Sequence, residues 1–259
     1  MTRPGDSRGT SSKNHEYGEK RGLVLREHGY VCVNGLDSMG KKIERHYVIK
    51  KRIARAAAAT VEDGDTIMVE SGSCCALFAE ELANTKKDVT IITNSVFIAN
   101  YISHAPNIKM ILLGGLYQPD TQVMTGPGIK NCVSAFPSDK FFIGADGFAP
   151  KFGFTGKDHQ RVQTILDMSD YAGGIVVLTD SEKFKHQGVH GLAHIRSVRE
   201  VFTDKGIPDD SETILMSHGV TVHKVDIETE NDVRAFPRHP SYFPLLKKLR
   251  GGIHSTRGS

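Results

Sequence analysis

The residues with chemical reach in this chain sit in five loops, each directly after a short apolar run. Glu70-Ser71-Gly72-Ser73 follows the first run and Thr93-Asn94-Ser95 the second. Gly114-Gly115 follows the third, with Gly126 opening a helical pattern further on. The fourth leads into Gly144-Ala145-Asp146-Gly147 and then to Lys157-Asp158, and the fifth into Thr179-Asp180-Ser181-Glu182-Lys183. Hydroxyls, glycines, a carboxylate and two lysines together suit a small anionic ligand that also carries hydroxyl groups. A glycine where a strand hands over to a helix lets backbone N–H groups converge on an anion, and the helix N-terminus adds partial positive charge. Ser71, Gly72 and Ser73 would cradle a phosphate in this way, with the Cys74 amide beside them. Asp146, acceptor-only when ionised, suits sugar hydroxyls, and Lys157 and Lys183 supply charge against a phosphate. Two alternatives stay open. Asn94 and Ser95 either cap the second helix or bind ligand, and Lys183 either meets the phosphate or pairs with Asp180 or Glu182. Thr93, Gly114, Gly115 and Gly126 belong to the same set by position. Any one of these loops taken alone is ordinary turn chemistry; their convergence on one face is the signal.

Other chemistries fit less well. The segment from Asp65 to Cys74 lacks the three-glycine dinucleotide fingerprint, and no Gly-Lys-Ser/Thr phosphate loop occurs. Gly72-Ser73 lacks the flanks of a nucleophile elbow. His186, His190 and His194 are spaced by four, but Gly188 and Gly191 interrupt the helical face a zinc site would need, so surface histidines are expected. The four cysteines, Cys32, Cys74, Cys75 and Cys132, have no metal-ligand spacing. No metal, cofactor or catalytic residue is therefore assigned.

The elements that must hold these loops follow from periodicity. Strands are expected at Thr66–Val69, Val89–Thr93, Lys109–Leu113, Lys140–Gly144, Gly174–Leu178, Glu200–Thr203 and Thr221–Val225. Helical patterns fall near 74–84, 95–103, 127–135, 158–171 and 209–218. Strands alternating with helices predict an α/β fold, a mostly parallel sheet with helices on both faces. Ligands bind such sheets past the carboxyl ends of the strands. Upstream, the alternation either side of His28-Gly29 predicts a hairpin within 18–36, and Lys41 to Thr60 reads as one helix ending in strong helix formers. Residues 1–17 read as a disordered tail.

The bulk composition agrees. The 259 residues, 39% of them apolar, suffice for one substantial core, and 26 glycines suit many tight strand-to-helix turns. No run of eighteen apolar residues and no apolar N-terminal segment occurs, so neither a membrane span nor a secretory leader is expected; the expected setting is a reduced cytoplasm. The net charge of +3 conceals an asymmetry: residues 1–55 carry 13 Lys/Arg against 6 Asp/Glu, and residues 232–259 carry 6 against 1. Basic ends on an acidic body point either to nucleic acid or to solvated tails.

Six motifs stand together in order: Asp63-Gly64-Asp65-Thr66, Val69 to Ser73, Thr93-Asn94-Ser95, Leu112 to Gly115, Asp139 to Gly147, and Leu178 to Phe184. In this arrangement the chain resembles the effector domain of DeoR-type transcriptional regulators over roughly residues 45–225. The resemblance implies a fold similar to ribose-5-phosphate isomerase and the acyl-CoA transferases. It also implies a phosphorylated sugar as effector, operator DNA as partner, a homo-oligomer, and repression of sugar catabolism. Residues 18–44 are then similar to the closing wing and linker of a winged helix-turn-helix, with no counterpart of the recognition helix in 1–17, and 226–259 is a basic C-terminal tail. Lys20, Arg21, Arg26 and His28 on such a wing would touch the DNA backbone weakly and in a salt-dependent way. The chain departs from the family where Cys74 and Cys75 replace threonines, and after Gly153-Phe154-Thr155, where the family usually carries an acidic residue in the helix and this chain reads Gly156-Lys-Asp-His-Gln-Arg-Val-Gln163. The alternative on the same fold is a sugar-phosphate isomerase with Asp146 or Asp158 as base; the glycine-rich Glu-Lys motif of those enzymes has no match here.

Overall fold

The computed structural model of the chain describes residues 24–27, 30–33 and 37–226. The expectations for the 1–17 tail, for Lys20, Arg21 and His28, and for the basic tail from residue 227 onward lie outside that set; Arg26 lies within it by backbone only. In chain order, β1 (Val24–Glu27) and β2 (Tyr30–Val33) pair as an antiparallel hairpin, with Val24 opposite Val33. Helices α1 (Asp37–Glu44) and α2 (Tyr47–Ala58) follow. Then come β3 (Thr66–Val69), α3 (Ser73–Thr85), β4 (Val89–Thr93), α4 (Val96–Tyr101) and β5 (Ile108–Leu112). A short hairpin of β6 (Leu116–Gln118) and β7 (Val123–Thr125) precedes α5 (Gly128–Val133) and β8 (Phe141–Ile143). Strands β9 (Gly147–Ala149) and β10 (Gly153–Gly156) lead to α6 (His159–Ser169) and β11 (Ile175–Leu178). After β12 (His190–Ala193), the chain closes with β13 (Val198–Asp204), α7 (Asp209–Ser217) and β14 (Thr221–Val225).

The main sheet has seven strands in the order β14-β13-β11-β8-β3-β4-β5, and each neighbouring pair is parallel. Both faces are covered, as alternation along each strand requires. Met68, Phe141, Ile143, Val177 and Val201 share one core with Ile129 and Val133 of α5, Val162, Ile165 and Met168 of α6, and Leu215 of α7. On the opposite face Phe142 meets Phe78 of α3 with ring centroids 4.3 Å apart. There α2 buries Ile53, Ala54, Ala57 and Ala58 and lies along α3. Burying a ring such as Phe141 or Phe142 contributes about 1.5–3 kcal/mol each, so adjacent phenylalanines of β8 staple one helical layer to each side.

Two features position the loops. After β3 the chain builds outward to β4 and β5, then returns to lay β8 on the other side of β3. That reversal parts the loops leaving β3 and β8 and opens a crevice at their carboxyl ends. The second feature is the direction of α2. Its start lies near Asp180 at the end of β11, since His46 Nδ1 is 3.8 Å from Asp180 Oδ2. Its far end lies at the opposite edge, where Lys140, just before β8, donates to the Thr60 carbonyl at 2.7 Å. Helix α2 therefore starts at the edge that carries the loops.

The single helix expected from Lys41 to Thr60 is two helices, broken at His46, which holds a left-handed conformation (φ 57°, ψ 35°). The region around 115–126 contains the β6–β7 hairpin, and β9, β10 and β12 form a separate three-stranded antiparallel sheet. No helix among the described residues is long and apolar enough to cross a membrane.

Candidate functional site

The crevice between β3 and β8 centres on Gly72. This residue adopts φ 149°, ψ 158°, a region open essentially to glycine alone. A Cβ there would meet Cys75 Sγ, Glu70 Oε2 and the Gly144 Cα at 3.9 Å, which is ordinary contact, so backbone conformation and not space demands the glycine. Gly72 is the N-cap of the 13-residue helix α3 and, lacking a side chain, leaves its first amides without a side-chain acceptor. The helices that follow β4 and β10 are closed: Ser95 Oγ accepts from the Ile98 amide, and Asp158 Oδ1 accepts from the Arg161 amide at 2.6 Å.

One wall of the crevice is a charge network. Glu70, fully buried, receives Arg161 in a bidentate fork, Nε to Oε1 at 2.7 Å and Nη2 to Oε2 at 2.9 Å. The same guanidinium donates to Asp146 Oδ2 at 3.0 Å and to the Gly144 carbonyl at 3.1 Å. Burial alone would disfavour the cation, but Glu70 first and Asp146 second outweigh it and hold Arg161 charged. The Ser71 hydroxyl also donates to Glu70, at 2.6 Å. Arg161 thus ties the β3 and β8 loops across the switch point.

The other wall lies under the start of α2. Lys50 is 4% exposed and its charge senses Cys74, Asp180 and Lys183. Burial lowers the Lys50 pKa and pushes the neighbouring Cys74 thiol up to about 12, so Cys74 offers its backbone amide and a neutral SH. Cys75 is likewise buried and its thiol pushed upward. Asp180, 3% exposed, has no hydrogen-bond partner at Oδ1. Next to it Ser181 donates from its amide and its hydroxyl to Asp204, both at 2.7 Å, which fixes the turn.

The expected site residues distribute as follows. Asp146 is brought to the loop of Gly72, Ser73 and Cys74 through Arg161, and Lys183 is close enough for its charge to act on Cys74. Lys183 makes no ion pair among the described residues, because Glu182 binds Lys185 at 2.6 Å instead. The Lys157 side chain is exposed, and its amide donates to Asp146 Oδ2 at 3.1 Å. Thr93 Oγ1 accepts from the Ser95 amide and the Ser95 hydroxyl is spent as a cap. Asn94 is fully buried, donates Nδ2 to the Met124 carbonyl at 3.1 Å, and has an unpartnered Oδ1. Gly115 has a packing reason of its own: a Cβ there would meet the Thr125 carbonyl oxygen at 2.6 Å. Gly114 lies beside Gly128, where helix α5 begins. Gly126 lines a surface cavity of about 630 Å³ with Leu116, Lys130, His159 and Gln160, which shares the first turn of α6 with Arg161. A cavity of about 350 Å³ beside Gly173, Gly174 and Arg199 lies at the far edge, where β11 and β13 begin, away from these groups.

Sequence reasoning missed Arg161, Glu70, Lys50 and His46. One signal for the first pair was present: a carboxylate at the end of a fully apolar strand needs a cation, and Arg161 stands in the first turn of a strand-end helix. Among the described residues no cluster of three metal-ligating groups occurs.

A putative aga operon transcriptional repressor of Escherichia coli O157:H7 is 25% identical over 210 residues, covering 79% of this chain and 78% of its own. The regulator IolR of Bacillus subtilis is 26% identical, covering 69% and 71%. The glycerol-3-phosphate regulon repressor of Escherichia coli K12 is 23% identical, covering 78% and 81%. Among solved structures, ribose 5-phosphate isomerase A of Methanocaldococcus jannaschii aligns with a TM-score of 0.40 at 21% identity, over 54% of this chain and 55% of its own. The eIF2B beta subunit of Chaetomium thermophilum aligns with a TM-score of 0.45 at 14% identity, over 74% and 59%. The model of the DeoR C-terminal sensor domain matches residues 45–205, more than half of the chain, so this protein belongs to the DeoR family of transcriptional regulators.

Proposed function

We propose that the crevice at Gly72 is the effector site and that its ligand is a small phosphorylated sugar controlling operator binding. The observation that carries this reading is the open N-terminus of α3 at the switch point, the one start among α3, α4 and α6 without a side-chain cap. A phosphate there would take the amides of Ser73 and Cys74, with the Lys183 cation in reach of the same space. The unpartnered acceptors Asn94 Oδ1 and Asp180 Oδ1, with Asp146 partly exposed, suit the hydroxyl donors of a sugar. Residues 45–225 form the sensor and residues 18–44 the linker toward the DNA-binding side.

Regulation follows as a population shift. The sugar phosphate favours the subunit arrangement of a homo-oligomer that holds operator DNA poorly, and so relieves repression of a sugar-utilising operon. Isothermal titration with glycerol 3-phosphate, glucose 6-phosphate, fructose 6-phosphate and galactosamine 6-phosphate tests the reading. At least one is expected to bind below millimolar concentration while its unphosphorylated parent does not. Silence across the panel at millimolar concentration overturns it.

A further inference from the structure

Lys50 is an unusual residue to bury on a helix that leads out of a domain. It stands one turn into α2, 4% exposed, beside the uncapped start of α3. Its ammonium donates to the Lys42 carbonyl, which belongs to α1 on the far side of the His46 break. Thus one side chain is bound to the backbone of the preceding helix while its charge is felt at Cys74 and Asp180. His46 adds to the same edge. It is a non-glycine residue in the left-handed region, an uncommon state that costs free energy, and its imidazole faces Asp180 at 3.8 Å. Asp180 is the independent sign of a ligand: a carboxylate at least nine-tenths buried, its Oδ2 facing His46 and its Oδ1 satisfied by nothing.

From this juxtaposition we infer that the linker is part of the effector site. Lys50 and His46 contact the anionic group of the ligand directly, while Asp180 Oδ1 accepts from one of its hydroxyls. When the anion recruits Lys50, the ammonium leaves the Lys42 carbonyl, and α1 is released to pivot about His46. The pivot is suited to this role, because α1 lies against α3 and buries Met39 and Ile43 there, so it has a docked position to leave. No relay through the core is required: the ligand touches the segment that runs toward the DNA-binding side. The inference rests on the sugar-phosphate reading and adds to it the residues that convert binding into movement.

The test uses the full chain, the same four sugar phosphates, and hydrogen–deuterium exchange of the amides of 37–50. In the wild type, a saturating ligand is expected to raise exchange across residues 37–46 at least threefold. Lys50→Met is expected to bind at least tenfold more weakly and to show that raised exchange before any ligand is added. Lys50→Arg restores part of the affinity. His46→Asn, which keeps a residue tolerant of the left-handed backbone, weakens binding severalfold without altering the far-ultraviolet circular dichroism, and so guards against a simple folding failure. If the wild type binds a sugar phosphate but Lys50→Met and His46→Asn bind within twofold of it, or exchange at 37–46 does not respond, the inference is overturned and the effector site stands. If the wild type binds none of the four, the site itself fails, and the inference with it.

Discussion

Arg161 shows how a residue can organise a site without touching ligand. Its guanidinium is spent on Glu70, Asp146 and the Gly144 carbonyl, so it shapes the crevice and lends it little free charge. Breaking such a pair strands a buried charge, whereas replacing both partners by apolar groups can be neutral. Arg161→Met is therefore expected to cost about 3–5 kcal/mol in urea unfolding, with most of the loss recovered by Arg161→Met combined with Glu70→Met. A single-variant loss below about 1 kcal/mol, the range of an exposed pair, would assign the network no structural weight. Lys50 behaves oppositely. It is faced by Cys74 of α3, by Asp180 and Lys183 after β11, and by Arg45, and its folded pKa is lowered, chiefly by burial. Holding it protonated therefore subtracts stability; the penalty is complete below the folded pKa and gone above the unfolded value of about 10.4. Lys50→Met should melt higher than the wild type at pH 7, with the gap narrowing as pH rises toward that value. A gap that stays constant or widens would mean that burial is not what burdens this lysine. Sequence alone singles out Ser71, Gly72, Ser73 and Cys74 as candidates because the glycine marks a strand-to-helix junction locally. It does not reveal Arg161, whose partner Glu70 is 91 residues away, or Lys50, whose burial depends on where α2 crosses the sheet.

At the level of elements, what was legible was periodic and what was missed was not. The seven main strands fall where apolar runs predict them, to within two or three residues at most ends, because a strand buried on both faces writes itself as continuous Val, Ile and Phe. Strands β6, β7, β9, β10 and β12 are three or four residues long and include Gly147, Gly153 and Gly156, so no alternation betrays them. The break at His46 is equally silent, since the contacts around it, His46 with Asp180 and Lys50 with the Lys42 carbonyl, are tertiary or cross the break and leave no local pattern. The junction at Gly72 is the element on which the site depends. An alanine there fits the space but must adopt a backbone region it avoids, at a cost of about 1–3 kcal/mol. Gly72→Ala is expected to lower stability by that amount and also to reduce sugar-phosphate affinity more than tenfold, because relaxing the strain turns the Ser73 and Cys74 amides away from the anion. A variant that loses stability but binds as the wild type does would place the anion elsewhere along the edge.

For the molecule as a whole, the site draws on the middle of the sheet. Gly72 follows β3, Asp146 follows β8 and Asp180 follows β11, three strands that are adjacent in the seven-stranded order, with β5 and β14 left as the edges. Local opening begins at edges and termini, and central strands separate only when the domain unfolds. A ligand spanning β3, β8 and β11 should therefore be released only in the globally unfolded state, and its whole binding free energy should appear as stability. At a ligand concentration one hundred times Kd this amounts to about 2.7 kcal/mol, or a rise in Tm of roughly 5–11 °C for a sensor of this size. Differential scanning calorimetry with the tightest binder of the panel measures it, and the shift should grow with the logarithm of ligand concentration. A ligand held instead by the hairpin cavity near Gly126 would raise Tm equally at equal saturation, but would also slow hydrogen exchange through local opening of the β6–β7 hairpin that lines it. Exchange of the β6–β7 amides, unchanged by a ligand on the central strands and slowed by one in the hairpin cavity, thus distinguishes a site in the middle of the sheet from one at its margin.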